Sequence, residues 1–167
     1  TKPGKIYSYS NVGYTILGMI IEKISNKRYE VFLNEELLRP LGMDNSTFLF
    51  VSQAGNYIDK QLAFGHLDNG EPVITTPGYV RPAGQFTTTA KDMGVFLRFM
   101  MSTGEVNNSV FIRSDLLKLV GEQMYTDAFL HGVTSGDALG AYTRDRYGVV
   151  GLAKNGNTLG FSSMLYM

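Results

Sequence analysis

What limits the fold of this chain most is a change in the spacing of its apolar residues at about Leu139. Before that point the chain is mostly helical in its spacing; after it the apolar residues fall in short runs that read as strands. From Asn11 to about Ser25, Val12, Ile16, Ile20 and Ile24 recur every four residues with Leu17 and Ile21 beside them. Ser10 or Asn11 is placed to cap that helix and Asn26 to stop it. A second helix is predicted over Tyr29 to Leu38, with Phe32, Leu33, Leu37 and Leu38 inward and Pro40 ending it. Leu41 to Thr47 reads as a turn, and Leu62 to Val73 as a hairpin around Asp68-Asn69-Gly70. Pro77 to Gly84 reads as a Pro/Gly-rich loop. Thr87, Thr88 and Thr89 offer caps for a helix from Ala90 to Met101, with Met93, Phe96, Leu97 and Met100 on one face and Gly104 closing it.

Ser114 is expected to cap a short helix to about Gln123, followed by a loose polar segment from Tyr125 to Asp137. Antiparallel strands are then expected at Leu139 to Thr143, Val149 to Lys154 and Phe161 to Met167. The first two form a hairpin turning at Arg144 to Gly148. Helices first and strands last predict an α+β fold. The expected organisation is one partial domain over 1–167, helix-rich over 1–138 and strand-rich over 139–167.

The 167 residues suit one ordinary domain, and 44% hydrophobic with 18% charged residues describes a core-forming chain. Fifteen basic and fifteen acidic residues cancel without a dense Lys/Arg run, which argues against a nucleic-acid or anionic-membrane surface. Zero cysteines exclude disulfides, thiolate catalysis and cysteine-ligated zinc. No run approaches the roughly eighteen apolar residues of a membrane span. The chain starts at Thr1, not a methionine, and stops at Met167 inside an apolar run. Both ends are therefore expected to be cut, and a missing leader says nothing about the whole protein.

Two short polar motifs carry the chemistry. Tyr9-Ser10-Asn11 precedes the first helix, where positive partial charge favours a phenolate at Tyr9. A tyrosine is a poor base at neutral pH unless a cation stands beside it. Asn11 has an amide able to orient a lysine or a substrate carbonyl. Lys154-Asn155-Gly156-Asn157 lies near the other end. There Lys154 on an inner strand would raise the positive potential of a cleft, and Gly156 would let substrate lie against the strand backbone. The Asn157 amide N–H would supply half of an oxyanion hole. Alone, each motif also reads as an ordinary helix cap or a solvated strand-edge lysine.

Other candidates are weaker. His66 and His131 lack metal spacing. Ser162 and Ser163 follow Gly160-Phe161 without forming a Gly-x-Ser-x-Gly elbow. Thr88 to Lys91 is a Thr-x-x-Lys standing where a helix cap belongs. Met93 to Met101 is core.

With their flanks, these motifs closely resemble the class C β-lactamase-like serine hydrolases, which include class C β-lactamases, D-alanyl-D-alanine peptidases and related esterases. The resemblance lies in Pro3-Gly4, Tyr9 to Tyr14, Leu17-Gly18, Leu38 to Met43, Pro82 to Met93 and Gly156 to Ser163. It covers most of the chain and is thinnest over 48–61 and 125–137. It implies a β-lactamase/transpeptidase-like antiparallel sheet flanked by helices, with a helical lobe, incomplete at both ends. It also implies Tyr9, Asn11 and Lys154 as catalytic residues and Asn155, Gly156 and Asn157 as substrate-binding ones. Asn155 stands where the family motif has threonine, so a hydroxyl that would bind a substrate carboxylate is lost.

The family's Ser-x-x-Lys nucleophile motif is nowhere in the chain; Ser25, the nearest case, has Arg28 three places on. The implied mechanism is acyl transfer without metal or cofactor. A serine outside this chain, helped by its own lysine and by Tyr9, attacks an amide or ester carbonyl. Lys154 would favour the phenolate by about 4 kcal/mol at roughly 4 Å and an effective dielectric near 20, before desolvation. The expected partner is a small-molecule or peptidoglycan-like substrate, with no nucleic acid and no metal, and the resemblance points to the cell envelope or beyond. A non-catalytic binding module is the alternative. A third reading, an unrelated α+β domain with chance motifs, would leave Tyr9 and Lys154 far apart.

Overall fold

Of the 167 residues, the computed structural model describes 8–48, 62–73, 80–123, 130–133 and 136–167. The chain divides into two compact units. One comprises Thr1–Tyr9, Leu97–Gly156 and Ser163–Met167, the other Ser10–Phe96 and Asn157–Ser162.

The second unit opens with α1 (Asn11–Ser25). Ser10 is its N-cap, the Gly13 N–H donating to Ser10 Oγ at 3.0 Å. Asn26 ends it in the left-handed conformation, at φ 53°. The next helix does not stop before Pro40. It runs as α2 (Tyr29–Leu33), a π-helical turn (Asn34–Leu38) and α3 (Arg39–Leu41), ending at left-handed Gly42. The wider turn, in which the Arg39 N–H reaches back to the Asn34 carbonyl, puts Pro40 at the start of a new helical turn. A proline is tolerated there because its missing N–H is not needed.

Tyr29, Leu38, Met43 and Phe48 form the core of this unit, with Ile21, Leu33, Leu41, Met93, Val95 and Phe96 packed on it. Tyr29 meets Phe48 edge-on at 5.1 Å. Burial first, and then the Glu30 charge, push the Tyr29 phenol up to about 12. Two pairs of two-residue strands accompany this core: β1 (Thr47–Phe48) pairs with β4 (Phe86–Thr87), and β2 (Gly65–His66) with β3 (Pro72–Val73). The hairpin expected from Leu62 to Val73 is thus present, with shorter strands.

The expected loop from Pro77 to Gly84 contains a short helix, α4 (Arg81–Gly84); 74–79 lie outside the described residues. Two features hold α4 on α1. Gly18 leaves a notch for Pro82, whose Cγ would stand 2.4 Å from a Cβ added there. Arg81 bonds Glu22 at 3.0 Å and the fully buried Glu30 at 2.6 Å. Helix α5 (Ala90–Met100) follows, the Asp92 N–H donating to Thr89 Oγ1 at 3.2 Å.

In the first unit, β5 (Glu105–Val106) pairs with β6 (Ser109–Val110), and Phe99 meets Phe111 edge-on at 5.5 Å. Helix α6 (Ser114–Lys118) is shorter than expected. Its N-cap is Arg113, so Ser114 lies inside the helix and does not cap it. Four strands follow: β7 (Gly136–Asp137), β8 (Tyr142–Arg146), β9 (Val149–Thr158) and β10 (Phe161–Tyr166), in the order β10-β9-β8-β7, with Asn157–Ser162 counted in the second unit. The β8–β9 turn is tighter than expected. Tyr147 (φ 57°) and Gly148 (φ 79°) make it, so Arg144 and Asp145 belong to the strand. Strand β9 also continues past Lys154 to Thr158, carrying the whole Lys-x-Gly motif. The expected loose segment from Tyr125 to Asp137 overlaps residues outside those described, although Gly136–Asp137 is strand β7.

Candidate functional site

Tyr9 directly precedes the N-cap of α1 and is 58% exposed. The first turn of α1 has no acidic residue to offset the positive end of the helix. Asn11 is the first helical residue, and its carbonyl accepts from Thr15 Oγ1 at 3.1 Å.

Strand β9 sets the other half. Leu152 and Met167 exchange hydrogen bonds of 2.7 and 2.9 Å, which fixes the β9–β10 register. Stepping by two along each strand, Lys154 falls opposite Leu165 and Gly156 opposite Ser163. Side chains alternate, so Lys154 and Gly156 share one face while Ala153 and Asn155 share the other. On its face, partly buried Lys154 carries Nζ to 5.3 Å from the Tyr9 ring centroid. That is within cation–π range. Two residues 145 positions apart in sequence, and both in the first unit, therefore meet.

The neighbours of Lys154 are placed differently. Asn155 turns to the opposite face, where Oδ1 accepts from the Tyr142 hydroxyl at 2.8 Å. Gly156 lies under Ser163, whose Oγ donates to the Gly156 carbonyl at 3.3 Å. Asn157 Oδ1 accepts from Ser162 Oγ at 3.0 Å. Backbone groups alternate as well: those of 152, 154 and 156 turn toward β10, and those of 153, 155 and 157 toward the other edge of β9. Strand β8 pairs with β9 only from Val149 to Ala153. Asn157 N–H thus faces the edge of β9 beyond β8's reach.

Such an arrangement can hold an ammonium against a phenol ring and offer a strand edge to an extended acyl group. Sequence reasoning overlooked Tyr142 and set Ser163 aside for want of an elbow motif. Counting back from the Leu159-Gly160 turn would have found Ser163 opposite Gly156. Among the described residues, no group of three or more His, Asp or Glu side chains is placed to hold a metal ion. No described helix is long and apolar enough to cross a membrane.

A family model described as Beta-lactamase matches residues 1–167. Protein flp of Staphylococcus aureus (strain MW2) is 28% identical over 127 residues, covering 72% of this chain and 25% of the relative. Beta-lactamase-like protein 4 of Dictyostelium discoideum is 35% identical over 127 residues, covering 68% of this chain and 21% of its own length. Among solved structures, a class C beta-lactamase superposes at TM-score 0.74 and 20% identity, over 95% of this chain and 48% of that one. The octameric penicillin-binding protein homologue from Pyrococcus abyssi superposes at 0.69 and 23% identity, over 94% and 34%. The fold is that of these proteins, and the chain spans about a quarter of the curated relatives' length.

Proposed function

The chain belongs to the Beta-lactamase family, and from that premise we propose that it is part of a serine hydrolase performing acyl transfer on amide or ester bonds, with the nucleophilic serine outside these 167 residues. The substrate would be a β-lactam, a D-Ala-D-Ala peptide or a small ester. The observation that carries this reading is the Lys154 ammonium 5.3 Å over the Tyr9 ring. A phenol held beside an ammonium is placed to take a proton from an attacking hydroxyl. Asn11 at the helix start would orient the reacting groups. The Asn157 N–H at the strand edge would receive charge developing on the carbonyl oxygen. An acyl-enzyme would form and water would release it.

These residues supply the base and the electrostatics, while the attacking atom must come from elsewhere. This 167-residue polypeptide alone is accordingly expected to show no turnover of nitrocefin or p-nitrophenyl acetate. Burst kinetics from it would refute that assignment. The decisive observation is the coding sequence upstream of Thr1. An in-frame Ser-x-x-Lys, with hydrolysis by the longer polypeptide, supports the enzyme. A natural start codon beside Thr1 supports a binding module that keeps the cleft without the nucleophile.

A further inference from the structure

We propose that Tyr142 is a positioning residue for the acyl-transfer site: its hydroxyl pins Asn155 on the far face of β9 and thereby holds Lys154 over the Tyr9 ring. The proposal rests on the acyl-transfer reading and adds to it a residue acting from the face away from the ammonium. Support for β9 from β8 ends partway along it. Strand β8 pairs with β9 from Arg146 opposite Val149 to Tyr142 opposite Ala153. The chain before Tyr142 then leaves the ladder. Gly140 is left-handed, at φ 86°, and the Ala138 N–H closes back on the Ala141 carbonyl at 2.8 Å. From Lys154 onward, β9 keeps its backbone pairing on the β10 side.

Lys154 is the first residue past that limit. It stands between Ala153, which the β8 backbone holds, and Asn155, which that backbone does not pair. Tyr142 spans the difference with its side chain. Its Cα faces Ala153, so Asn155 is its diagonal neighbour on the same face, at about 7 Å and within an aromatic side chain's reach. Ala153 is small, so the ring can lean along β9. The hydroxyl donates to Asn155 Oδ1 at 2.8 Å, an ordinary O–H···O length. Successive side chains leave opposite faces of one backbone, so pinning residue 155 limits rotation of the strand at 154. The long Lys154 stem therefore starts toward Tyr9 from a fixed direction. Without the clamp, this end of β9 has backbone bonds on one side and an open edge on the other, the condition under which a strand end opens locally. Tyr9, Tyr142, Lys154 and Asn155 all belong to the first unit.

The test uses the longer polypeptide that carries the nucleophile, labelled with carbon-13 at lysine Cε, with nitrocefin and p-nitrophenyl acetate as substrates. In the NMR spectrum the Lys154 signal, assigned by its loss in Lys154→Arg, should bear a ring-current shift that Tyr9→Leu removes. Tyr142→Phe keeps the ring and loses the hydroxyl. It should shrink that shift and lower kcat roughly three- to tenfold while changing KM less, the effect of one net hydrogen bond spent on positioning. Asn155→Leu should do the same, and the two substitutions together should cost no more than either alone. Far-UV circular dichroism confirms that each variant keeps its sheet. An unchanged Lys154 shift in Tyr142→Phe, or losses that add in the double variant, overturns the proposal and leaves the acyl-transfer reading standing. Failure of the unsubstituted longer polypeptide to hydrolyse either substrate overturns that reading and, with it, the role of Tyr142.

Discussion

Asp92 sits almost wholly buried at the start of α5 and accepts from Ser46 Oγ at 2.7 Å and from the Asn45 N–H at 2.8 Å. The Ser46 bond, ahead of the opposing effect of burial, and then the Asn45 bond hold its carboxyl below the ordinary 3.8. Glu22 lies below 4.5, first through the Tyr29 N–H bond and, against burial, through Arg81. Both folded values are lowered, so both contributions to stability are complete above the ordinary carboxylate range and are lost as pH falls through the lower folded values. Chemical denaturation followed against pH should show stability falling below about pH 4.5, and Asp92→Asn should blunt that fall. At the candidate site, Tyr9→Phe in a longer polypeptide that carries the nucleophile should lower kcat by about 10²–10⁴-fold and change KM less. That is the range for removing a positioned base. A parallel loss of folding, read by circular dichroism, would assign Tyr9 a structural role instead.

At the scale of elements, α4 stays on α1 through a notch and an ion cluster. Gly18→Val would drive a branched side chain into Pro82, whose Cγ lies 2.4 Å from the Cβ position. Overpacking of this kind costs about 1–3 kcal/mol, measurable by urea denaturation. Arg81→Met would leave Glu30, 0% exposed, without its main counter-charge. The expected cost is about 3–5 kcal/mol, and Arg81→Met/Glu30→Gln should recover part of it. The starts and stops of α1 were legible because Ser10 and Asn26 are residues whose local chemistry favours a cap and a left-handed stop. Passage of the helix through Pro40 was not legible. It depends on the π-helical turn Asn34–Leu38 just before it, which no local preference announces. The β8–β9 turn was drawn too wide for a related reason. Tyr147 occupies a left-handed position usually given to Asn, Asp or Gly, so only Gly148 marked the turn and its first residue carried no signal.

For the molecule as a whole, the apolar stripe of α1 is the feature that most affects behaviour in solution. Val12, Ile16 and Ile24 are 66%, 52% and 81% exposed, and Ile20 is also exposed, while the buried residue of the helix is Gly18. A contiguous apolar face of this kind promotes association. The 167-residue polypeptide should elute from gel filtration as an oligomer or aggregate, and Ile16→Glu with Ile24→Lys should shift it toward monomer. A soluble wild-type monomer at high concentration would contradict this. Sequence alone determined the α+β character, the family and the positions of α1 and α5, because spacing, caps and turn residues are local and these elements declare them. It could not determine that α1 buries Gly18 and leaves Ile16, Ile20 and Ile24 outward, since a periodic stripe says only that a face exists. Nor could it show that Lys154 and Asn155 part to opposite faces, that Tyr142 holds the asparagine, or that Ser163 crosses the strand to Gly156. Those contacts depend on register and on side-chain alternation between strands, which arise only when segments distant in the chain pair and pack in three dimensions.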